Sequence, residues 1–391
     1  MATAATSPDT CPVLAYVVTQ DWYFLSHRLP MARAAREAGF DVHVITHVNK
    51  GGAAIEAEGF RLHPVVWRRG SLHPLGFLSN ICAVRRVFRR IKPSLVHNVA
   101  LQPTVVGSLA ALGLPPRRLN ALAGLGFTFT STTLKARLVR PVLEVLLRFV
   151  LRDRRAAVLV QNPDDRAAIG SLGVPADRIF TIPGSGVETD RLVPLPEPPG
   201  AITMAFVGRL LDDKGIRPLV AAQALLAGRG TPVRLLIAGD PDPANPASIP
   251  ADEIAGWAKQ PGIEVLGHVG DIRDVWSRAH IAVLPSRREG LPKSLLEAAA
   301  CGRPIVATDV PGCREVARPG INALLVPPDS PAALADAIAR LAEDDALRRH
   351  LGAAGRLLVE LEFSSARIGA EIVALYDRLL QNQQSLTAST A

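Results

Sequence analysis

Residues 284–302 read LPSRREGLPKSLLEAAACG, and this stretch changes character in its middle. It begins at the end of an apolar run from Ile281, which predicts a strand, and continues as an Ala/Leu-rich segment, which predicts a helix. Pro292 suits a first helical position, Gly302 suits the residue after a helix, and Pro304 prevents continuation. A strand that runs into a helix in this way is typical of parallel α/β layers.

The same alternation of short apolar runs and helical segments extends through the rest of the chain. One series of runs, which includes Ser94–Asn98 and Leu119–Ala123, predicts a first parallel sheet, and a second series begins at Met204–Val207. The predicted fold class is therefore α/β, with two doubly wound, Rossmann-like domains. Ligands of such sheets bind at the carboxyl ends of the strands, so we expect the site in a central cleft that both domains face.

The predicted domain boundaries follow from a proline-rich break. Residues 192–200 hold four prolines and no periodicity, which indicates a linker. We expect an N-terminal domain at 1–191 and a C-terminal domain at 201–364. An amphipathic helix at 365–381 is expected to cross back to the first domain, and residues 382–391 are expected to form a disordered tail.

Positive charge is concentrated in the first half of the chain. Residues 1–190 hold 23 Lys and Arg against 13 Asp and Glu, while the remaining residues hold 21 against 23. One interpretation is a solvated, Arg-rich face; the other is attraction to an anionic membrane or a phosphate-bearing acceptor. Nucleic acid is not expected as a partner, because few aromatic residues interleave the arginines and no recognition motif accompanies them.

We expect neither a secretory leader nor a membrane-spanning helix, because the first apolar stretch is short and no apolar run reaches about 18 residues. Its four cysteines lack CxxC spacing and accompanying His pairs, so we expect reduced thiols rather than a disulfide framework or a zinc site. A cytoplasmic location is the resulting prediction.

Two cations follow the first strand of the second domain. Gly208 permits a close backbone turn, and Arg209 and Lys214 lie at the carboxyl end of the strand, five positions apart. Arg can bind two oxygens at once and Lys acts as a point charge, so the pair suits a diphosphate. The alternative is two solvated loop cations beside neighbouring aspartates.

Two carboxylates lie on either side of the predicted helix start near Pro292. Glu289 precedes the helix and Glu297 lies inside it. Each can accept two sugar hydroxyls, and free N–H groups near Gly290, Leu291 and Lys293 attract phosphate. The alternative is that Glu289 only interacts with the helix dipole and that Glu297 is an ordinary surface residue in the middle of the helix.

With seven residues between them, Glu289 and Glu297 resemble the E-x7-E motif of retaining glycosyltransferases with the GT-B fold, especially family 4. Further ordered blocks are similar to that family's: Gly208–Gly215, Pro183–Glu188, Val310–Glu315 and Gly320–Val326. Segments at 21–28, 124–131 and 161–165 resemble capsule and O-antigen transferases of the CapM type, and transferases that add N-acetylgalactosamine to undecaprenyl-diphosphate-linked diacetylbacillosamine. In that group the acceptor is a polyprenyl-diphosphate saccharide.

The resemblance implies roles for individual residues. Arg209 and Lys214 neutralise the leaving diphosphate of a UDP-sugar, Glu297 binds the ribose hydroxyls, and Glu289 holds hydroxyls of the transferred sugar. The backbone of Gly208 and of residues Gly290, Leu291, Pro292 and Lys293 completes the donor site. The resemblance implies a leaving group that is stabilised by charge placed in advance, so the enzyme is predicted to need neither metal nor another cofactor.

The acceptor side departs from many family members, which carry a His where Gly124 and Gly126 stand. His97, predicted to follow Ser94–Val96, the strand part of the run at 94–98, is the substitute candidate for a catalytic role; the alternative is a strand-end His bonded to nearby backbone. Asp21, Trp22 and His27 are the remaining acceptor-side candidates.

The resulting prediction is a retaining glycosyltransferase that transfers a HexNAc from a UDP-sugar to a lipid-linked saccharide, peripherally bound to the inner face of the cell membrane through its basic first domain. A UDP-HexNAc 2-epimerase is the alternative enzyme, and a non-catalytic sugar-nucleotide-binding protein is the alternative outside enzymes.

Overall fold

The computed structural model describes residues 11–67, 74–122, 134–243 and 245–388. The chain divides into two compact units, one formed by residues 1–185 together with 368–391, and the other by residues 186–367. Each unit contains one sheet of parallel strands with helices on its faces, so the predicted pair of doubly wound α/β domains is confirmed.

The first unit contains a seven-stranded sheet in the order β3-β2-β1-β4-β5-β6-β7. Its strands are β1 (Val13–Gln20), β2 (Asp41–His47), β3 (Arg61–Pro64), β4 (Leu95–Val99), β5 (Arg117–Ala121), β6 (Ala156–Val160) and β7 (Ile179–Thr181). Its helices are α1 (Asp21–His27), α2 (Leu29–Glu37), α3 (Gly52–Ala57), α4 (Pro74–Ile91), α5 (Leu101–Ala110), α6 (Leu134–Leu151) and α7 (Pro163–Ser171). The central strands read as apolar runs because helices cover both faces of the sheet.

The second unit contains a six-stranded sheet in the order β10-β9-β8-β11-β12-β13. Its strands are β8 (Thr203–Val207), β9 (Arg234–Ala238), β10 (Ile263–Gly267), β11 (Ile281–Leu284), β12 (Ile305–Thr308) and β13 (Ala323–Val326). Its helices are α8 (Ile216–Gly228), α9 (Ala251–Trp257), α10 (Arg273–Trp276), α11 (Lys293–Ala300), α12 (Pro311–Val316), α13 (Pro331–Glu343) and α14 (Asp345–Glu362).

The last helix, α15 (Ser365–Ala388), supplies part of the first unit's core. Ile368, Ile372 and Tyr376 are fully buried there, packed among residues of β1 and β4. The proline-rich segment 192–200 packs on the second unit, where Arg348 pairs with Glu197 at 2.9 Å. Helix α15 is therefore part of the core of the first unit, and the segment predicted as a linker packs on the surface of the second unit.

The bounds of one strand, β5, differ from the sequence-based prediction for a physical reason. The run predicted at Leu119–Ala123 begins instead at Arg117, so two arginines lie inside a buried strand. The guanidinium of Arg118 lies against the carboxylate of Asp153, and Arg117 donates to the carbonyl of Arg154 at 3.2 Å. These partners satisfy charges that a hydrophobic pattern excludes from a strand.

Two negative findings concern the described residues alone. None of the helices there combines the length and the apolarity that a bilayer-crossing helix needs. The same ranges contain no group of three His, Cys, Asp or Glu side chains arranged to hold a metal ion.

Candidate functional site

The predicted donor residues meet at one edge of the second sheet. β8 and β11 are neighbouring parallel strands, although β9 and β10 separate them in sequence. The strand order reverses between them, and their carboxyl ends lead into Gly208–Arg209 and into the loop that starts at Pro285. Open α/β sheets bind ligands at such a switch point.

Close backbone approaches hold the loops of this edge together. Gly215 has a φ of +70°, and a Cβ there would overlap the carbonyl oxygen of Pro285. Likewise, a Cβ on Gly312 would lie 2.5 Å from the carbonyl oxygens of Glu289 and Gly290. Because glycine alone fits these contacts, the loops after β8, β11 and β12 can pack directly on one another.

Glu289 lies at the centre of the site. Its Oε1 atom accepts hydrogen bonds from Nζ of Lys214 and from Oγ of Ser286, both at 2.6 Å. The side chains of Glu289 and Lys214 are only 10% and 19% exposed. A charged hydrogen bond in such a shielded position fixes the orientation of the carboxylate, and no described residue donates to the second oxygen, Oε2.

Arg209 extends from the end of β8 and pairs with another acid. Its Nη1 atom lies 2.9 Å from Oδ2 of Asp242, and its side chain remains 44% exposed. The neighbouring aspartates, which could have held the two loop cations, do not pair with them: Asp212 bonds Arg217 and Arg287. Both predicted diphosphate ligands therefore contact a carboxylate at the same sheet edge.

Glu297 lies in the second turn of α11. The helix begins at Lys293, with Pro292 as the residue before it, and no side chain caps its start. Nζ of Lys293 lies 3.3 Å from Oε1 of Glu297, whose side chain is 14% exposed. Burial raises the pKa of Glu297, and the charge and hydrogen bond of Lys293 offset part of the rise.

An ion-pair network that sequence reasoning missed braces the loop after β11. Arg287 bonds both carboxylate oxygens of Asp329 at 2.8 Å and Oδ2 of Asp212 at 2.7 Å. Its backbone N–H also donates to the carbonyl of Asp213 at 2.8 Å. These contacts connect the loop of Glu289 with that of Lys214. The adjacent pair Arg287–Arg288 in the sequence was the only available signal, and it does not reveal which residues it contacts.

His97 lies inside β4, not after it as predicted, and it is fully buried. Nδ1 shares a 2.6 Å hydrogen bond with the hydroxyl of Tyr376, which lies 2.7 Å from that of Tyr16. No described residue hydrogen-bonds its Nε2. Burial, with the charge of Arg28, keeps the pKa of His97 well below its ordinary value. The catalytic role of His97 stays a prediction, and this environment gives the residue a place in the core of the first unit.

The acceptor-side candidates lie where the first sheet reverses, after β1. Asp21 is buried, and its carboxylate accepts from the N–H groups of Trp22, Asn49 and Gly51 at 2.7 Å. Burial alone raises the pKa of Asp21, but these hydrogen bonds outweigh it and lower the pKa. Asp21 thus fixes two loops, while Trp22 is 40% exposed beside it.

His27 ends α1, where its ring stacks on Tyr23 with centroids 4.4 Å apart and bonds Oγ of Ser26 at 2.6 Å. Gly124 and Gly126 lie outside the described residues. The acceptor roles of all these residues remain predictions.

Comparison with known proteins agrees across both units. The family profile described as Glycosyl transferase 4-like matches residues 13–162, and the profile described as Glycosyl transferases group 1 matches residues 201–344. The chain is 25% identical to the Campylobacter jejuni N,N'-diacetylbacillosaminyl-diphospho-undecaprenol alpha-1,3-N-acetylgalactosaminyltransferase, over 92% of this chain and 99% of that one.

Two further proteins extend the comparison. The capsular polysaccharide biosynthesis glycosyltransferase CapM of Staphylococcus aureus is 22% identical over 92% of this chain and 97% of its own length. Among solved structures, the Anabaena protein HepE in complex with UDP superposes with a TM-score of 0.77 at 15% identity, covering 94% of this chain and 100% of that one. At that identity the superposition establishes the fold alone.

Proposed function

The chain belongs to the family 4 glycosyltransferases with the GT-B fold, and from that premise we propose that it transfers an N-acetylhexosamine from a UDP-sugar to a polyprenyl-diphosphate-linked saccharide. As a glycosyltransferase it is neither an epimerase nor a non-catalytic binding protein. The observation that carries the proposal is the bonded pair of Lys214 and Glu289 beside Arg209 at the switch point of the second sheet.

The cations of this site suit the leaving diphosphate. Arg209 is 44% exposed, and Asp242 is the one described residue whose side chain bonds its guanidinium, so the guanidinium can bind two phosphate oxygens. Lys214 has three N–H donors, of which Glu289 takes one. Charge placed before the reaction stabilises the departing UDP, and we propose that the reaction therefore needs no metal ion.

The two glutamates suit the two sugars of the donor. Lys214 and Ser286 hold Oε1 of Glu289, which leaves Oε2 for hydroxyls of the transferred sugar. Glu297, one helical turn beyond Lys293, is the acceptor for the ribose hydroxyls. With the donor fixed at both ends, we propose transfer with retention of the anomeric configuration, as the family motif implies.

The acceptor proposal is supported by the named relatives. The Campylobacter jejuni relative is named for a diphospho-undecaprenol substrate, and CapM is named for capsular polysaccharide. A lipid-linked acceptor resides in a membrane, and residues 1–190 carry the net positive charge of this chain. We therefore propose action at the inner face of the cell membrane, in the assembly of a surface polysaccharide or glycan.

A donor and acceptor screen tests the function. Purified chain is incubated with UDP-GlcNAc, UDP-GalNAc or UDP-glucose and a short-chain polyprenyl-diphosphate saccharide, and products are read by mass spectrometry and NMR. We expect one UDP-N-acetylhexosamine to give a product with one added residue, with retained configuration and undiminished by EDTA. Transfer only to acceptors without a polyprenyl diphosphate would overturn the acceptor proposal, and an inverted anomer or loss of activity with EDTA would overturn the mechanism.

A further inference from the structure

Helix α6 of the first unit is apolar on two opposite faces. Leu147, Val150 and Leu151 are buried on the inner face, in a core cluster with residues of β6 and α7. Val142, Val145 and Phe149 point away from this core, and their exposed fractions are 68%, 66% and 59%. The apolar side chains on the outer face are therefore additional to those that the core of the first unit uses.

The exposed side chains form one continuous stripe. Their spacing of three and then four residues places Val142, Val145 and Phe149 on a single line along the helix. Arg148 and Arg152 are also exposed and continue the same face toward the end of the helix. Large apolar side chains arranged as a patch, rather than scattered singly, mark a binding surface.

The charge around this stripe selects the partner. The sequence of α6 contains four cations and a single acid, Glu144, which lies off the exposed stripe. Apolar side chains on a helix whose polar residues are Arg and Lys are typical of segments that lie in the headgroup region of an anionic bilayer. Each cation near such a surface adds about 1 kcal/mol of attraction.

A depression beside the stripe fits the same partner. It has a volume of about 390 Å³ and is lined by Phe149, Leu112 and three arginines, Arg118, Arg148 and Arg152, against one acid, Asp153. Asp153 already pairs with Arg118, and Arg152 is held by a 3.1 Å hydrogen bond to the carbonyl of Gly173. Cations beside apolar walls suit a lipid phosphate with the first carbons of its chains.

We propose that the outer face of α6 docks on an anionic lipid bilayer, with Val142, Val145 and Phe149 in the boundary between headgroups and acyl chains and Arg148 and Arg152 against lipid phosphates. The inference deepens the proposed function, because a lipid-linked acceptor is reached only from a membrane surface. It assigns the membrane contact to one helix rather than to the general positive charge of the first half of the chain.

Vesicle binding tests the proposal. The full chain is sedimented with phosphatidylcholine vesicles that contain or lack phosphatidylglycerol. We expect the wild-type chain to bind only the anionic vesicles, and Val145→Ser/Phe149→Ser to lower that affinity about tenfold. The matched control, Leu357→Ser/Leu361→Ser, removes two equally exposed leucines from α14 and should bind as the wild type does.

A second measurement does not depend on a loss of binding. Phe149→Trp should be quenched by brominated phosphatidylglycerol vesicles, beyond the quenching of the wild-type tryptophans. Unchanged vesicle affinity in the stripe variant, or no added quenching in the tryptophan variant, would overturn the proposal and point to a protein partner.

Transfer to a short-chain acceptor without vesicles separates the two proposals. Full activity of Val145→Ser/Phe149→Ser in that assay, with vesicle affinity lowered, supports the docking surface. If the wild-type chain binds vesicles through the stripe but transfers no sugar, the function fails and the docking surface stands.

Discussion

Nζ of Lys214 lies 2.6 Å from Oε1 of Glu289, so the cation proposed for the diphosphate and the carboxylate proposed for the sugar form one hydrogen-bonded unit. Each side chain fixes the other within a shielded site. A change to either residue therefore alters both the charge at the leaving group and the orientation of the sugar-binding acid.

A double-mutant cycle on this pair should be strongly non-additive. We expect Glu289→Gln and Lys214→Met each to lower kcat/KM roughly 10²–10³-fold, the range for removing one preorganised electrostatic contact. The double variant should lose little more than either single variant, because each single change already breaks the unit. Steady-state transfer assays provide the measurement, and losses that simply multiply would contradict the shared role.

Substitutions of Arg209 and of Asp242 should have opposite effects on UDP affinity. Arg209→Ala should weaken UDP binding by about 1.5–3 kcal/mol, the value for hydrogen bonds to charged groups. Asp242→Asn releases the guanidinium from an exposed pair worth about 0–1 kcal/mol and should tighten binding up to about fivefold. Isothermal titration calorimetry measures both.

The control for this pair is Arg234→Ala, which removes a similarly exposed arginine from the amino end of β9 in the same sheet. Its UDP affinity should equal that of the wild type. If Arg209→Ala behaves like this control, Arg209 is not a donor ligand.

Glu297 should link pH to stability and to UDP affinity with opposite signs. Its folded-state pKa is raised, so the ionised form is penalised in the folded state. That penalty is complete above the folded pKa and vanishes below the unfolded value near 4.3. Glu297→Gln should therefore raise the melting temperature at pH 8 and leave it unchanged near pH 4.

The same variant should bind UDP roughly tenfold more weakly at pH 8, because an amide is a poorer acceptor for ribose hydroxyls. Wild-type affinity should fall toward that of the variant as the pH drops through the raised pKa. A wild-type affinity that does not change between pH 8 and pH 4 would show that Glu297 does not bind the donor in its charged form.

The contact of Gly215 with Pro285 can be separated from its backbone conformation. Gly215 and Gly230 have φ values of +70° and +79°, but only Gly215 would place a Cβ against another backbone. Gly230→Ala should cost roughly 1–2 kcal/mol of unfolding free energy for the left-handed conformation alone. Gly215→Ala should cost a further 1–3 kcal/mol or so and reduce UDP affinity. Urea denaturation of both variants gives the comparison; equal costs would exclude the close approach.

Much of the fold was accessible from sequence because the signals are local. Apolar runs such as Met204–Val207 mark strands, and Pro292 and Gly302 limit the helix between them. The strand-to-helix passage at 284–302 was predicted in the same way, and the structure places Glu289 of that passage at the same sheet edge as Arg209. The bond between Lys214 and Glu289 was not predictable, because it joins residues 75 positions apart.

The strand predictions that were wrong also involve contacts between residues that are distant in sequence. His97 was predicted to follow its strand, but it lies inside β4, where the hydroxyl of Tyr376, 279 positions away, shares a hydrogen bond with its buried ring. Arg118 likewise lies inside β5, because Asp153, which is distant in sequence, pairs with its guanidinium. A single sequence shows which residues are polar, but not which distant residue satisfies each one.

The discontinuity of the first unit has a consequence for synthesis on the ribosome. Ile368, Ile372, Tyr376 and Leu379 complete a core whose other members were translated before residue 186. When the second unit, residues 186–367, has emerged in full, the first unit still lacks these side chains. A nascent chain therefore completes its second unit before its first. A stop codon shortly before codon 368 would leave the second unit whole and remove core residues from the first unit, whose other residues lie at the N-terminal end of the chain.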